Sequence, residues 1–415
     1  MSRARTHLLG CAILAVCLRQ ATPAFADVVT DWNAIAVTVT NTGNRPAPAW
    51  ILDVAMVQLA VHDAIQAYQG RFESYNTRVE GASGSPVAAA ATAARDVLVN
   101  RFPSQTGAIQ TMYLDYFSAN GLLLTDAGVA VGQQAALLII ARRASDGSYP
   151  ANPEVFTGGT APGEWRPTQP AFNVPMLAPW FGDVEPFALR PKDNLLPEPP
   201  PPNLKSGNYA RAYNEVKSFG ARTNSLRSQE QTDLAIFYSG NFLIQLNGVV
   251  RNVASTNLND IGDSARLLAL ANVAAADALI STWHNKRLYA FWRPSTAIAE
   301  GDNDGNHNTD GDPTWLPFFN DPPYPDYTSG ANSFTGAVMR TLRRFFEDDF
   351  IMFTVTTTVA GVPPRTYTRF SDMSDDVVEA RILMGIHFRF ADTVARRQGF
   401  QSADWAFSHI LRPVH

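Results

Sequence analysis

Three short segments in the C-terminal half carry side chains able to handle an oxyanion. NKRLYAFWRPSTAI (285–298) holds Lys286 and Arg293, seven residues apart. On a continuous helix seven steps return to within about 20° of the start, so both cations would face one way, two turns apart. Trp283, Phe291 and Trp292 flank them with apolar walls, and Pro294 ends or kinks such a helix. PDYTSGANSFTGA (325–337) sets the Ser329 hydroxyl beside Gly330, where backbone can approach a ligand closely. It then enters a helical pattern whose first N–H groups are free to bind an anion. EARILMGIHFRFAD (379–392) places Arg381 and His387 six residues apart. On a helix they would lie about 120° around and about 9 Å along, converging on a ligand from one side rather than sharing a face. Each segment alone also has a plain structural reading: snorkelling cations, a serine N-cap, a satisfied core imidazole.

The elements that must position these residues read mostly as helix. Of 415 residues, 46% are hydrophobic and 17% charged, which suits a large buried core. Apolar residues recur at helical spacing over 50–68, 86–102, 126–144, 207–219, 228–254, 262–292 and 374–398, with a shorter pattern at 401–411. FTVTTTVAGVPPRTYTRF (353–370) instead alternates, is rich in Thr and Val, and turns at Gly361 to Pro364, the pattern of a β-hairpin. The stretch 145–205 is rich in Pro, Gly and Trp and ends in PEPPPPN (197–203), a stiff linker candidate. The expected fold is all-α, two four-helix-type bundles with a small hairpin. The expected division is an N-terminal helical domain at 27–196, a linker at 197–205 and a C-terminal helical domain at 206–415 that carries the oxyanion site.

The N-terminus reads as an export signal. Arg3 and Arg5 precede the apolar run LLGCAILAVCL (8–18), and Ala24-Phe25-Ala26 gives a small-x-small cleavage site before Asp27. Export to the periplasm or medium, with cleavage after Ala26, is the expectation. No later segment reads as long and apolar enough for a transmembrane helix. Cys11 and Cys17 are the chain's two cysteines, so residues 27–415 offer no disulfide and no thiol nucleophile. Cleavage also removes Arg3, Arg5 and Arg19, taking the net charge from −5 to about −8. That argues against nucleic acid as a partner, so an anion site must be a local basic cluster. The loop GDNDGNHNTDGDP (301–313) is rich in hard oxygen donors but departs from the EF-hand pattern, with His307 at the glycine position and Pro313 at that of the bidentate Glu. A solvated turn is expected there.

Together the segments have a specific order: Lys-x6-Arg-Pro, Ser-Gly 36 residues after Arg293, and Arg-x5-His 51 residues after Gly330. This resembles the signature of the vanadium-dependent haloperoxidase and type 2 phosphatidic-acid phosphatase superfamily. DVVTDWN (27–33), VHDAIQAY (61–68), GEWRPTQPAF (163–172), PWFGDVEPFAL (179–189) and FWRPSTAI (291–298) extend the resemblance to its bacterial haloperoxidase-like branch. It implies two helical bundles with the site in the second. Lys286, Arg293 and Arg381 would neutralise the oxygens of vanadate, or of phosphate in a phosphatase. Ser329 and the Gly330 amide would bind the same oxygens. His387 would be the axial vanadium ligand, or the nucleophile toward phosphorus. Trp283 and Tyr324 would line the substrate pocket. The implied reaction is peroxide-driven halide oxidation, with hydrogen peroxide and halide as partners; the alternatives are hydrolysis of phosphomonoesters and oxyanion binding without turnover.

The chain departs from that pattern twice. The family reads Ser-Gly-His; here the sequence is Ser329-Gly330-Ala331. A positioned general acid is worth roughly 10²–10⁴-fold in rate, so its absence bears on both reactions. No neighbour replaces it directly: Asn332 can hydrogen-bond but is no acid near pH 7, His284 lies roughly 160° from Lys286 around the helix, and His307 in the loop 301–313 is the mobile candidate. The family also follows its axial His by an Asp four residues on, where this chain has Ala391 and then Asp392. Five helical steps turn the side chain to about 140°, so Asp392 reaches His387 only if the helix ends or bends first.

Overall fold

The computed structural model describes residues 27–189 and 198–414; the expected leader and the start of the proline-rich linker lie outside them. Five helices form the N-terminal half: α1 (Val28–Asn41), α2 (Trp50–Gln69), α3 (Pro86–Arg101), α4 (Thr106–Ala119) and α5 (Gly128–Arg142). Eight follow: α6 (Gly207–Phe219), α7 (Gln229–Phe237), α8 (Phe242–Asn257), α9 (Ile261–Tyr289), α10 (Pro294–Ala299), α11 (Gly330–Phe346), α12 (Phe370–Leu383) and α13 (Arg389–His409). The described strands are β1 (Phe353–Val355) and β2 (Arg365–Tyr367), an antiparallel hairpin that pairs Phe353 with Tyr367. The expected all-α body with one hairpin is the observed fold.

Helix α9 organises the molecule. Its 29 residues are buried almost throughout. Asp260 caps its start by accepting hydrogen bonds from the Gly262 and Asp263 amides at 2.9 and 3.1 Å. Alanines at 265, 269, 271, 274–276 and 278 keep its flanks thin, so α2 packs on one side and α11 and α13 on another. Where α13 crosses α11, Gly399 is required, because a Cβ there would sit 2.3 Å from the Ser333 carbonyl oxygen. One apolar core runs continuously from α1 to α13. A smaller aromatic cluster, including Tyr209, Phe291, Trp292, Tyr327 and Phe388, backs the site.

Two helical spans do reach the length and apolarity of a membrane crossing, contrary to the sequence expectation: Ala47–Gln69 and Ile261–Tyr289. They are 89% and 100% buried, which is the pattern of core helices. The described end of the linker is anchored. Glu198 pairs with Arg397, and the Tyr327 hydroxyl donates to the Pro199 carbonyl at 2.6 Å.

Three helical expectations need correction. The pattern at 228–254 is two helices, broken at 238–241, and α9 stops at Tyr289, where Ala290 takes φ 41°. Arg293 is therefore not on α9 with Lys286. It is the N-cap of α10, with Pro294 in the first turn, where its missing N–H costs nothing. The pattern at 374–398 is also broken: α12 ends at Leu383, α13 begins at Arg389, and Gly385 turns the chain with φ 80°. His387 sits in this connection, so the helical angle expected between it and Arg381 does not apply.

Candidate active site

Lys286, Arg293, Ser329, Arg381 and His387 come together where α9, the 320–329 segment, the start of α11 and the 384–388 connection meet. Lys286 is wholly buried in the last turn of α9. Its Nζ donates to the Pro325 and Asp326 carbonyls at 2.5 and 3.1 Å and stands 4.9 Å from the Tyr324 ring centre. Burial, and next the Arg293 charge, push its pKa well below the usual lysine value. Arg293, also fully buried, donates from Nε to the Tyr324 carbonyl at 2.8 Å and from Nη1 to the Ile386 carbonyl at 2.6 Å. Those bonds aim the guanidinium at His387, whose Nε2 is 3.2 Å from Nη1. Arg381 closes the other side; its Nη1 is 3.4 Å from the Tyr238 carbonyl.

Ser329 is the N-cap of α11, yet its side chain makes no cap hydrogen bond. The plain N-cap reading of this serine is thus not what the structure contains. Its buried hydroxyl faces Asp392, whose charged form it favours, but lacks a hydrogen bond of ordinary geometry. Arg293 Nη2 and Arg381 Nε are also buried without partners. These three donors, and the carboxylate oxygens Asp326 Oδ2 and Asp392 Oδ2, are buried polar atoms of this cluster without partners, beside the N–H groups that begin α11. Trp283 and Tyr324 pack with ring centres 5.0 Å apart and planes tilted by 58°, forming its aromatic wall, with Trp283 Nε1 held by the Leu177 carbonyl at 3.1 Å.

His387 has a partner that the sequence did not reveal. Its Nδ1 lies 2.6 Å from Oδ1 of Asp326, and both residues are buried. Burial, then the charges of Arg293, Lys286 and Arg381, hold the His387 pKa well below its ordinary value. Burial raises that of Asp326 while Arg293 and Lys286 pull it back. A second proton on this pair would add charge beside three cations. One proton therefore serves it; with that proton on Nδ1 and the Asp326 carboxylate accepting, Nε2 keeps its lone pair. Asp392 does not take this role, although the helix does break before it. Its Oδ1 accepts from Asn332 Nδ2 at 2.8 Å, and burial raises its pKa to about 7.

Above the cation cluster opens a cavity of about 490 Å³ lined by Trp283, Tyr324, Gly330, Ala331, Arg381 and His387 among others. The candidates for the missing acid are elsewhere or engaged. Asn332 is tied to Asp392, His284 lines a separate pocket with Arg287, and His307 is exposed with its Nε2 beside Asn308. In the acidic loop Asp302 and Asp304 accept bonds from the Gly311 and Asn306 N–H groups of the loop itself, and Asp312 from Thr314 N–H just beyond it.

Residues 266–415 match the family model described as the VCPO second helical-bundle domain. Vanadium chloroperoxidase of Curvularia inaequalis is 32% identical over 203 residues, which are 41% of this chain and 32% of that protein. The chain thus matches about a third of the length of this curated relative. A solved bacterial vanadium-dependent iodoperoxidase superposes with a TM-score of 0.79 at 23% identity, over 95% of this chain and 100% of the other. An apo-type bacterial vanadium-dependent chloroperoxidase gives 0.70 at 19% identity, over 87% and 93%. The resemblance seen in the sequence is thus matched at two levels: the chain has the fold of the bacterial vanadium-dependent haloperoxidases, and its residues 266–415 match the VCPO second helical-bundle domain.

Proposed function

We propose that this protein is an exported, vanadate-binding haloperoxidase that uses hydrogen peroxide to oxidise halide. The observation that carries the reading is the set of open donors, Ser329 Oγ, Arg293 Nη2 and Arg381 Nε, buried around the His387–Asp326 pair. These residues fit a vanadate ion. Lys286, Arg293 and Arg381 offset its charge in a poorly hydrated pocket, where cations act far more strongly than in water. Ser329 and the first amides of α11 donate to its oxygens, and His387 Nε2 offers its lone pair. Bound vanadate supplies a Lewis-acidic centre that activates peroxide toward halide. Asp326 fixes the imidazole's tautomer and direction, as a carboxylate does for many metal-bound histidines. Ala331 supplies no proton at the mouth of the site, so turnover is expected to be slow relative to a site with histidine there.

The test is a vanadate titration followed by halide oxidation, read as triiodide formation from iodide and peroxide. Tight vanadate binding with no triiodide would defeat the enzymatic part. Ala331→His is expected to raise turnover by roughly 10²-fold or more if proton donation is what the site lacks.

A second reading rests on the same His387–Asp326 pair, which equally prepares a nucleophile for phosphorus. The protein would then release phosphate from 4-nitrophenyl phosphate without added vanadate, and vanadate would inhibit it. If it binds phosphate or vanadate, performs neither reaction, and stays inert as Ala331→His, it is an oxyanion binder. Export is tested by N-terminal sequencing of the secreted protein, which should begin at Asp27.

A further inference from the structure

We propose that two copies of this chain pair through the outer face of α5, antiparallel and about a two-fold axis. α5 buries its other face inside its own fold: Val131, Gly132, Ala135, Ala136 and Ile139 are buried where the helix packs on α3 and α2. The fit is close, since a Cβ on Gly132 would lie 2.2 Å from the Ala89 carbonyl oxygen. The outer face, with Ala130, Gln133, Gln134, Leu137 and Ala141, is exposed. A surface helix ordinarily carries charge on that side. Here no charged residue occurs from Ala127 to Ala141, in a chain that is 17% charged. Leu137 is 60% exposed, and Leu123 and Leu124, in the connection that leads into the helix, are 68% and 55% exposed. A single exposed leucine is ordinary. A continuous uncharged band about 22 Å long, the length of a 15-residue helix, has the composition of an interface core.

The order of residues along the band says what covers it. A two-fold pair needs a patch that complements itself. With the helices antiparallel and the axis between Gln133 and Gln134, Gln133 of one copy meets Gln134 of the other, and their amides are able to exchange N–H···O bonds. Ala130 then faces Leu137, small against large, on both sides of the axis. The ends match in charge. Asp126 precedes the band and Arg142 follows it, so the same axis brings the acid of each copy to the arginine end of the other. Both are held at those ends by neutral partners. Asp126 Oδ1 accepts from the Ser85 and Gly128 amides at 2.8 and 2.7 Å. Arg142 Nη1 donates to the Tyr75 carbonyl at 3.2 Å, and its guanidinium lies 4.3 Å from the Tyr75 ring centre. Antiparallel helices also set each dipole's positive end beside the other's negative end. No α5 residue lines the cavity over the oxyanion pocket, so pairing leaves each copy its own site.

Sedimentation velocity of the protein from Asp27 onward, at about 1 to 100 µM, brackets a micromolar interface. The average mass is expected to rise from one chain to two. Leu137→Arg puts a charge into the middle of the band and should weaken association by about tenfold or more, with a melting temperature near that of the parent. Adding Ala130→Glu to Leu137→Arg should restore association, because the axis sets the new acid against the new base. A second measurement uses the absence of cysteine beyond Asp27, which lets one introduced thiol report proximity. Gln134→Cys, beside the axis, should give a disulfide-linked dimer on mild oxidation, whereas Leu226→Cys, at a position 68% exposed elsewhere on the surface, should not. A single chain at every concentration, association indifferent to Leu137→Arg, no recovery in the double variant, or a disulfide no faster at 134 than at 226 overturns the proposal.

Discussion

Asp326 shows what spacing can and cannot reveal about single residues. His387, Arg381, Lys286 and Arg293 stand out because their order and intervals repeat a pattern. Asp326 lies 61 residues before the imidazole it holds, and no interval points to it. The available signal was a carboxylate three residues before Ser329, inside a loop whose other features favour anions. Asp326→Asn is expected to lower vanadate affinity about 10–100-fold, the usual cost of losing a partner that orients a metal-bound histidine. Equilibrium dialysis against vanadate measures this, and an unchanged affinity would remove Asp326 from the site. Asp392 makes a different contribution. Its folded-state pKa of about 7 lies above the ordinary 3.8, so the folded protein binds the extra proton between those values. Its share of stability is fully present below about pH 4, falls as pH rises to about 7, and is level beyond. His62, lowered by burial to about 4, has the opposite slope over part of that window, so the test is a difference. Without bound anion, Asp392→Asn should gain on the parent in melting temperature as pH rises from 4 to 7. Parallel curves for the two proteins would refute this.

At the scale of elements, long apolar stretches were legible and short breaks were not. Periodicity marked α2, α3, α5 and α6 to within two residues of their ends, because each buries one continuous face. It ran through the breaks at 238–241 and 384–388, since a window of helical length averages over four or five residues, even the polar Ser239-Gly240-Asn241. Those breaks are where the site is built: one supplies the cavity rim and the other carries His387. Gly385 makes the second possible. At φ 80°, a Cβ would lie 2.4 Å from the Gly220 carbonyl oxygen and against Pro317. Gly385→Ala is therefore strained in backbone and in contact, and about 2 kcal/mol or more of stability should be lost in urea denaturation. Because the strain falls on the segment holding His387, vanadate affinity should drop in the same variant. A loss of stability with affinity intact would show that the connection repacks without moving the imidazole.

The whole molecule ties a basic pocket into an acidic protein through one core. The expected division at 197–205 came from composition, which registers a proline run but not what lies on either side of it. In the folded chain the apolar cluster passes from α1 and α2 through α9 into α11 and α13. The packing of α2 on α9 gives neither half a core of its own to melt separately, because α9 supplies buried faces to both. Scanning calorimetry of residues 27–415 should thus show one transition whose calorimetric and van't Hoff enthalpies agree. An oxyanion that binds only the folded pocket stabilises by about 2.7 kcal/mol at a hundred times its dissociation constant. Although its ligands lie in the C-terminal half, vanadate or phosphate should raise that single transition as a unit. Two transitions, with only one moved by the anion, would mean that the shared core is not cooperative and that the seam beneath the cavity can open while the site stays folded.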